Sequence, residues 1–318
     1  MPRPRALFFG TPEFAVPALA ALSEIADVVT VITQPDRPKG RGMKLAPPPV
    51  KGFAQRLGVP VLQPTKVRTP EFAASLRELA AEIALVVAYG RILPSAVLSA
   101  PRLGCVNVHA SLLPKFRGAA PIQWAIVQGE LETGVCLMQM DEGLDTGPVL
   151  ARASLAIGEN ETAGELSVRL SALGAELVRS ALPRVLAAEL VPVAQDHARA
   201  TLAPLLAKQD GEIDWSKQAR AIHDLVRGFA PWPSATTTLE GVRIKVHATR
   251  VLEADSEHPR PGQVLEADRR GIAVACGRGA LLISELQREA GRRLSAAEFL
   301  AGHRLPDSAR FGSTSVPE

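Results

Sequence analysis

Asn107 and His109 stand two residues apart at the end of the apolar run that begins at Cys105. Side chains at positions i and i+2 of a strand point to the same face, so a strand here presents both polar groups together. Asn107 offers amide N–H donors, and His109 carries a group that titrates near neutral pH. The pair suits the stabilisation of an oxyanion during acyl transfer. A histidine on a buried strand is more often a satisfied core residue, so the pair alone does not establish a site.

A carboxylate that can serve this pair lies in the segment Asp141–Gly147, between two apolar runs that predict a hairpin. Asp145 stands between Gly143 and Gly147, where it can simply cap the turn. In the alternative interpretation the glycines let the turn approach the site, where the carboxylate holds His109 in one tautomer and favours its protonated form. Asn107, His109 and Asp145 together predict a catalytic trio for acyl transfer.

A basic loop is predicted between Pro35 and Lys44, with one acid, Asp36, among its cations. Its Pro and Gly content is typical of a solvated loop, and the alternative is contact with a phosphate backbone. The cations are Arg37, Lys39, Arg41 and Lys44. The stretch Arg117-Gly118-Ala119-Ala120-Pro121 precedes a helix predicted from Ile122. The N-terminus of that helix can hold an anion, or the stretch can simply turn the chain, and we prefer the turn.

Motifs, spacing and composition disfavour several classes of function. Gly10-Thr11-Pro12-Glu13 has one glycine where a dinucleotide-binding fingerprint needs three, so a nicotinamide cofactor is disfavoured. The histidines after His109 show no ligand spacing, so no metal is expected. Aromatic residues make up 4% of the chain, which disfavours a base-stacking RNA surface. The formal charge of +3 permits a polyanionic partner without requiring one.

The chain is expected in the cytoplasm. The three cysteines lie far apart without C-x-x-C spacing, as expected for buried thiols in a reducing compartment. The apolar run Ala6–Phe9 is too short for the core of a signal peptide.

Buried strands alternate with helix-length segments in the first half of the chain, which predicts an α/β fold with a doubly wound, mostly parallel, Rossmann-like sheet. The predicted strands are Ala6–Phe9, Val28–Thr33, Ile83–Ala88 and Cys105–Val108. Such sheets bind ligands beyond the carboxyl ends of their strands, which is where His109 falls.

The rest of the chain predicts a second domain. A helix from Thr162 to about Ala188 begins with a capping box, Thr162 and Glu165, and closes the first domain. We place the first domain at residues 1–190, a linker at 191–208, and a small OB-like β-barrel at 209–318. The tail after Arg304 carries Pro, Ser and Gly and is expected to fray.

The motif residues also resemble a known family. The chain resembles the folate-dependent formyltransferases in three segments. They are Asn107-Val108-His109-Ala110-Ser111-Leu112-Leu113-Pro114, the following Arg117-Gly118, and Gly143-Leu144-Asp145-Thr146-Gly147. The N-terminal Phe9-Gly10-Thr11-Pro12, the Gln34–Lys51 loop, Asp214-Trp215 and Pro231-Trp232-Pro233 resemble the members of that family that formylate methionyl initiator tRNA. The resemblance runs nearly end to end.

This resemblance implies a function and roles for residues. The family transfers the formyl group of 10-formyltetrahydrofolate, without a metal, to an amine, here the free α-amino group of methionyl initiator tRNA. Asn107, His109 and Asp145 are then catalytic. The implied folate site comprises Ser111, Leu112, Leu113 and Pro114, with a pterin wall of Tyr89, Gly90, Arg91, Ile92 and Leu93. The resemblance also implies that the basic loop contacts the acceptor end of the tRNA through Arg37, Lys39, Arg41 and Lys44, with Arg41 the first candidate for direct contact. The barrel is implied to bind the RNA backbone.

Three positions depart from the family pattern: Met43, Ala230 and Ser234 stand where Lys, Asn and Gly are frequent. They affect the loop charge and the turn before the barrel, and they leave the catalytic trio untouched. Two alternatives stay open. One is a sister enzyme that formylates a glycinamide nucleotide or an amino sugar, or passes the group to water. The other is an RNA-binding module whose α/β half is a scaffold. A monomer is expected.

Overall fold

The computed structural model describes residues 3–39, 44–306 and 308–312, which form two compact units. Unit 1 comprises Met1–Pro121, Glu132–Ala156 and Ser167–Pro204, and unit 2 comprises Ile122–Leu131, Ile157–Leu166 and Leu205–Glu318. The sequence prediction kept residues 122–131 and 157–166 in the first domain, whereas their contacts group them with the second. Within the described ranges, no helix is both long and apolar enough to cross a bilayer.

The elements before the barrel alternate strands with helices. The strands are β1 (Arg5–Gly10), β2 (Asp27–Ile32), β3 (Arg37–Lys39), β4 (Lys44–Ala46), β5 (Val61–Leu62), β6 (Ile83–Val87), β7 (Cys105–His109), β8 (Arg117–Gly118), β9 (Glu132–Gln139), β10 (Val149–Ala156) and β11 (Leu202–Ala203). The helices are α1 (Val16–Ile25), α2 (Pro49–Arg56), α3 (Pro70–Glu78), α4 (Ser95–Leu98), α5 (Pro121–Val127) and α6 (Ala163–Leu186).

The main sheet of unit 1 has seven strands in the order β10-β9-β7-β6-β1-β2-β5. The strands from β7 to β5 run parallel, and β9 and β10 form an antiparallel hairpin beside β7. The chain builds the sheet outward from β1 in both directions, which confirms the predicted doubly wound, mostly parallel fold. The carboxyl ends of β1, β6 and β7 therefore share one edge, where such sheets bind ligands.

Alternation along the strands divides the sheet into two apolar faces. Leu7, Phe9, Ala84 and Cys105 enter one cluster with residues of α3 and α4. On the other face Gly174 of α6 lies so close to Val108 that a Cβ would stand 3.1 Å from the valine side chain. Asn107 and His109 occupy the face opposite Val108, because strand side chains alternate.

The helix α6 begins as predicted. Glu165 N donates to Thr162 Oγ1 at 3.3 Å, and Thr162 N donates to Glu165 Oε2 at 2.9 Å, which is a capping box. This reciprocal pair also explains why the pKa of Glu165 is lowered, since the main-chain N–H of Thr162 stabilises the charged carboxylate.

Unit 2 is an antiparallel barrel. Its strands are β12 (Ala235–Leu239), β13 (Val242–Glu257), β14 (Val264–Asp268), β15 (Gly271–Ala275), β16 (Arg278–Arg288) and β17 (Leu294–Ser295), with helices α7 (Ala219–Gly228) and α8 (Ala296–Gly302). The strand order is β12-β13-β16-β15-β14. Residues 310 and 311 bridge Gln263 beside β14 and Leu239 of β12, so the last described segment joins the two sheet edges.

The expectation that the tail frays after Arg304 is wrong for this segment. Phe311 is 1% exposed and packs against Trp215, with ring centroids 5.6 Å apart. Its burial among the apolar residues of the barrel core outweighs the entropy of ordering the chain end. Trp215 also donates from Nε1 to Thr237 Oγ1 at 2.9 Å, which ties the segment before α7 to β12.

Candidate active site

His109 is the last residue of β7, and its imidazole is buried. Its Nε2 atom lies 2.9 Å from the carbonyl oxygen of Phe116, at the far end of the turn that follows the strand. A carbonyl oxygen only accepts hydrogen bonds, so Nε2 carries a hydrogen and is the donor of this bond. The orientation of the ring is therefore set by the main chain of Phe116, and not by Asp145 as the sequence suggested.

Asp145 lies in the turn between β9 and β10, with a backbone φ of 51°, in the left-handed region. Its Oδ2 atom accepts the N–H of Gly118 at 2.8 Å and lies 3.6 Å from His109 Nδ1. That second separation is too long for a hydrogen bond but short enough for a strong interaction between opposite charges. When the imidazole is protonated, its Nδ1–H is thus available to a substrate oxygen while the carboxylate stabilises the cation.

Asn107 completes the trio predicted from the sequence. It lies on β7 opposite Met138 of β9 and Val86 of β6, and its side chain is mostly buried. Within the described part of the chain, its amide makes no side-chain hydrogen bond. Asn107 and His109 therefore present donors on one face of the sheet, at its carboxyl edge.

The segment predicted as a linker contributes to this site. Thr201 Oγ1 accepts the N–H of Phe116 at 2.9 Å, and β11 pairs with β8 in parallel. Gln195 donates from Nε2 to the carbonyl oxygens of Asp145 and Gly147 at 2.8 and 2.7 Å. Neither Gln195 nor Thr201 was identified from the sequence, because no motif or spacing distinguishes them in a polar connecting stretch.

Nucleophilic catalysis by a thiol has no support here. Burial raises the pKa of the Cys105 thiol to about 12, and it also raises the pKa of Cys136, which pairs with His109 across β7 and β9. A thiol with so high a pKa is almost entirely protonated near neutral pH and is a poor nucleophile. The groups that remain suit direct transfer with stabilisation of an oxyanion.

Two family comparisons cover most of the chain. The family described as Formyl transferase matches residues 5–185, and the family described as Formyl transferase, C-terminal domain, matches residues 205–304. This chain belongs to the formyl transferase family. A methionyl-tRNA formyltransferase of Sorangium cellulosum is 58% identical over 95% of this chain and 97% of its own length. Another, of Myxococcus xanthus, is 54% identical over 98% and 99%.

Solved structures share the fold of this formyl transferase. An N-formyltransferase from Helicobacter canadensis, in complex with folinic acid and dTDP-3-aminofucose, superimposes with a TM-score of 0.67, at 18% identity over 88% of this chain and 98% of that one. HypX from Aquifex aeolicus, in complex with tetrahydrofolic acid, gives a TM-score of 0.60 at 17% identity over 93% of this chain and 46% of that one. At these identities the likeness concerns the fold alone.

The predicted folate residues differ in exposure. Leu113 packs in a small cluster with Cys136, Met138 and Val149, and Ser111 is fully buried with its hydroxyl donating to Lys115 O at 2.6 Å. The side chains of Leu113 and Ser111 thus lie inside the turn, whereas Leu112 and Pro114 beside them are partly exposed.

The predicted pterin wall begins with the buried Tyr89, whose ring packs edge-on against Phe9. Gly90 is exposed and Leu93 is buried. Arg91 and Ile92 line a cavity of about 430 Å³. The other lining residues are Thr65, Lys66, Val67, Arg68 and Thr69. Among the residues predicted for the folate, Arg91 and Ile92 line this cavity, whereas residues 111–114 and the catalytic trio do not.

The described ends of the predicted tRNA-binding loop, β3 and β4, pair as an antiparallel hairpin, with Lys39 and Lys44 as backbone partners. Arg41 lies outside the described residues. The guanidinium of Arg37 donates to the Gln34 side chain, whose Nε2 donates to Tyr89 O at 2.9 Å. The base of the hairpin is therefore fixed to the predicted pterin wall.

Proposed function

We propose that this formyl transferase moves the formyl group of 10-formyltetrahydrofolate to the free α-amino group of methionyl initiator tRNA. The product is N-formylmethionyl-tRNA for translation initiation in the cytoplasm. The observation that carries the proposal is high identity to methionyl-tRNA formyltransferases over nearly the whole of both chains, including the C-terminal domain. The arrangement of His109, Asp145 and Asn107 supplies the chemistry. We propose a monomer as the working form.

In this reaction the α-amine attacks the formyl carbon, and the carbonyl electron pair moves to oxygen. A free α-amino group titrates near pH 7.7–8.0, so much of the nucleophile is already neutral and little base assistance is needed. The tetrahedral intermediate then loses the amine proton and re-forms the carbonyl, which breaks the bond to N10, and N10 takes up a proton as tetrahydrofolate leaves. The protein must therefore stabilise one negative oxygen and relay one proton from the amine to N10.

Asn107 and His109 are suited to hold the negative oxygen. Among the described residues, none accepts a hydrogen bond from the amide of Asn107, and none accepts one from His109 Nδ1–H, since Asp145 Oδ2 stands 3.6 Å away. The bond from Nε2 to Phe116 O keeps the ring fixed, so Nδ1 need not reorient as charge develops. Donors placed in advance are what make such stabilisation large.

Asp145 has two oxygens with different tasks. Oδ2 is held by Gly118 N–H and faces the imidazole. No hydrogen bond joins Oδ1 to another described residue, so it can take the proton of the attacking amine directly or through water. One carboxylate thus stabilises the cation at His109 while the oxyanion exists, and it then passes the amine proton on to the leaving N10.

The binding residues are proposals of the same kind. We place the folate against Ser111, Leu112, Leu113 and Pro114 and against the wall from Tyr89 to Leu93. The cations Lys66, Arg68 and Arg91 around the cavity suit the acidic tail of the folate. We place the tRNA acceptor end against Arg37, Lys39, Arg41 and Lys44, because a phosphate backbone seeks clustered cations.

Tetrahydrofolate release, followed with a panel of acceptors, tests this function. The panel comprises methionyl initiator tRNA, methionyl elongator tRNA, a glycinamide ribonucleotide, an amino-sugar nucleotide and no acceptor. We expect release with the charged initiator and little with the others. Release with an amino-sugar nucleotide or with water would assign a sister activity to the same trio, and no release with any acceptor would favour the RNA-binding alternative.

A further inference from the structure

Arg117 of β8 is a buried cation. It is 6% exposed, and within the described ranges no carboxylate forms an ion pair with it. Its guanidinium donates to Gln195 Oε1 from Nε at 3.1 Å and from Nη2 at 2.7 Å, and its Nη1 lies 3.2 Å from His197 Nδ1. Burial of a charge is costly, so the pairing of this buried guanidinium with a neutral amide needs a physical reason.

The two hydrogen bonds from Arg117 determine the orientation of the Gln195 amide. Arginine has only donors, so the atom between Nε and Nη2 must be the amide oxygen, and the amide nitrogen must point the other way. There it donates to the carbonyl oxygens of Asp145 and Gly147. Both protons and both lone pairs of the amide are used, and among the side chains of this length only glutamine supplies both kinds of group.

These contacts hold Asp145 from two sides. The amide of Gly118 binds its carboxylate, and Arg117, the preceding residue, fixes its carbonyl oxygen through Gln195. A non-glycine residue at a φ of 51° needs such external contacts to persist. The strand β8 therefore determines where the carboxylate stands opposite His109.

We propose that Gln195, oriented by Arg117, is a positioning residue for formyl transfer that acts through Asp145. The proposal rests on the proposed function, since it assumes that Asp145 serves the transfer. Gln195 belongs to the connecting stretch, which is secured by the bridge between Val193 and Val149 and by the pairing of β11 with β8. The segment leading to the C-terminal domain thus supplies part of the catalytic geometry.

The sharpest variant is Gln195→Glu. It keeps the length of the side chain and the acceptor for Arg117, but it replaces the donor that faces Asp145 O and Gly147 O by an oxygen. We expect kcat to fall about 10- to 100-fold with KM for both substrates nearly unchanged, since a small displacement of a catalytic group costs this much. Gln195→Met, of similar volume without hydrogen bonds, should lose a comparable amount. Gln128→Glu, at an exposed glutamine, should leave kcat unchanged.

A double-mutant cycle separates positioning from general destabilisation. If Gln195 acts through Asp145, Gln195→Glu should change kcat less than about threefold in an Asp145→Asn background. An equal loss of kcat in both backgrounds, or an unchanged kcat for Gln195→Glu alone, would overturn the proposal.

The proposed function can fail separately, and wild-type activity reveals it. If wild type formylates another acceptor, the cycle is run with that acceptor. If wild type shows no turnover, a crystal structure of Gln195→Glu decides: a displaced Asp145 carboxylate with β9 and β10 in place supports the positioning role, and an unmoved carboxylate refutes it.

Discussion

Replacement of Asp145 by asparagine tests the electrostatic part of the account. Asparagine keeps the shape of the side chain and still offers an oxygen to the N–H of Gly118. It also tolerates the left-handed backbone found at this position, with a φ of 51°. The variant therefore removes the negative charge beside His109 with little other change.

The expected size of the effect follows from the distance. Unit charges 3.6 Å apart interact by about 4–5 kcal/mol at an effective dielectric constant of about 20. Only the part that grows as the oxyanion forms affects kcat, and the partial exposure of Asp145 screens some of it. A loss of about 2–4 kcal/mol in the transition state lowers kcat about 30- to 1000-fold.

The assay is single-turnover formylation of methionyl initiator tRNA at saturating folate, which isolates the chemical step. Glu142→Gln is the matched control, since it removes a carboxylate from the same turn at an exposed position. The control should react at the wild-type rate. If Asp145→Asn does so too, the carboxylate has no part in catalysis and the reasoning from its distance to His109 is refuted.

Three further predictions concern other residues. Asn107→Ala should lower kcat by about 10²–10³ through loss of an oxyanion donor, measured by the same assay, and near wild-type turnover would remove Asn107 from the mechanism. Arg41→Ala should weaken tRNA binding and reduce the slope of log affinity against log salt by about 1, whereas an unchanged slope would mean that Arg41 meets no phosphate. Burial lowers the pKa of His223, so the unfolded state binds more protons and the free energy of unfolding falls as pH drops below about 6.5. His223→Gln should reduce that acid-dependent fall in the unfolding midpoint, unlike His258→Gln, and identical pH dependence in all three proteins would contradict this.

Local patterns in the sequence predicted much of the fold. The apolar runs at β1, β2, β6 and β7 correspond to buried parallel strands, because a sheet covered on both faces requires continuous apolar sequence. The Thr162 and Glu165 pair indicated the start of α6, since a capping box is a contact between near neighbours. The alternation on β7 likewise placed Asn107 and His109 on one face.

Contacts between distant segments were not predictable in the same way. The bond from His109 to Phe116 O depends on the course of a turn, and the role of Gln195 depends on a connecting stretch that returns to β8. Phe311 closes the barrel although its neighbours are typical of a loose tail. In each case the decisive partner is far away in sequence or is a main-chain atom, so residue types and spacing carry no signal for it.

Transfer of an isotopic label tests the central claim most directly. The protein is incubated with 10-formyltetrahydrofolate that carries heavy carbon in the formyl group, together with methionyl initiator tRNA, and the aminoacyl ester is then hydrolysed for mass spectrometry. The account predicts the heavy carbon in N-formylmethionine, in an amount that matches the tetrahydrofolate formed. Label recovered as free formate, or methionine that stays unformylated while tetrahydrofolate accumulates, would contradict it.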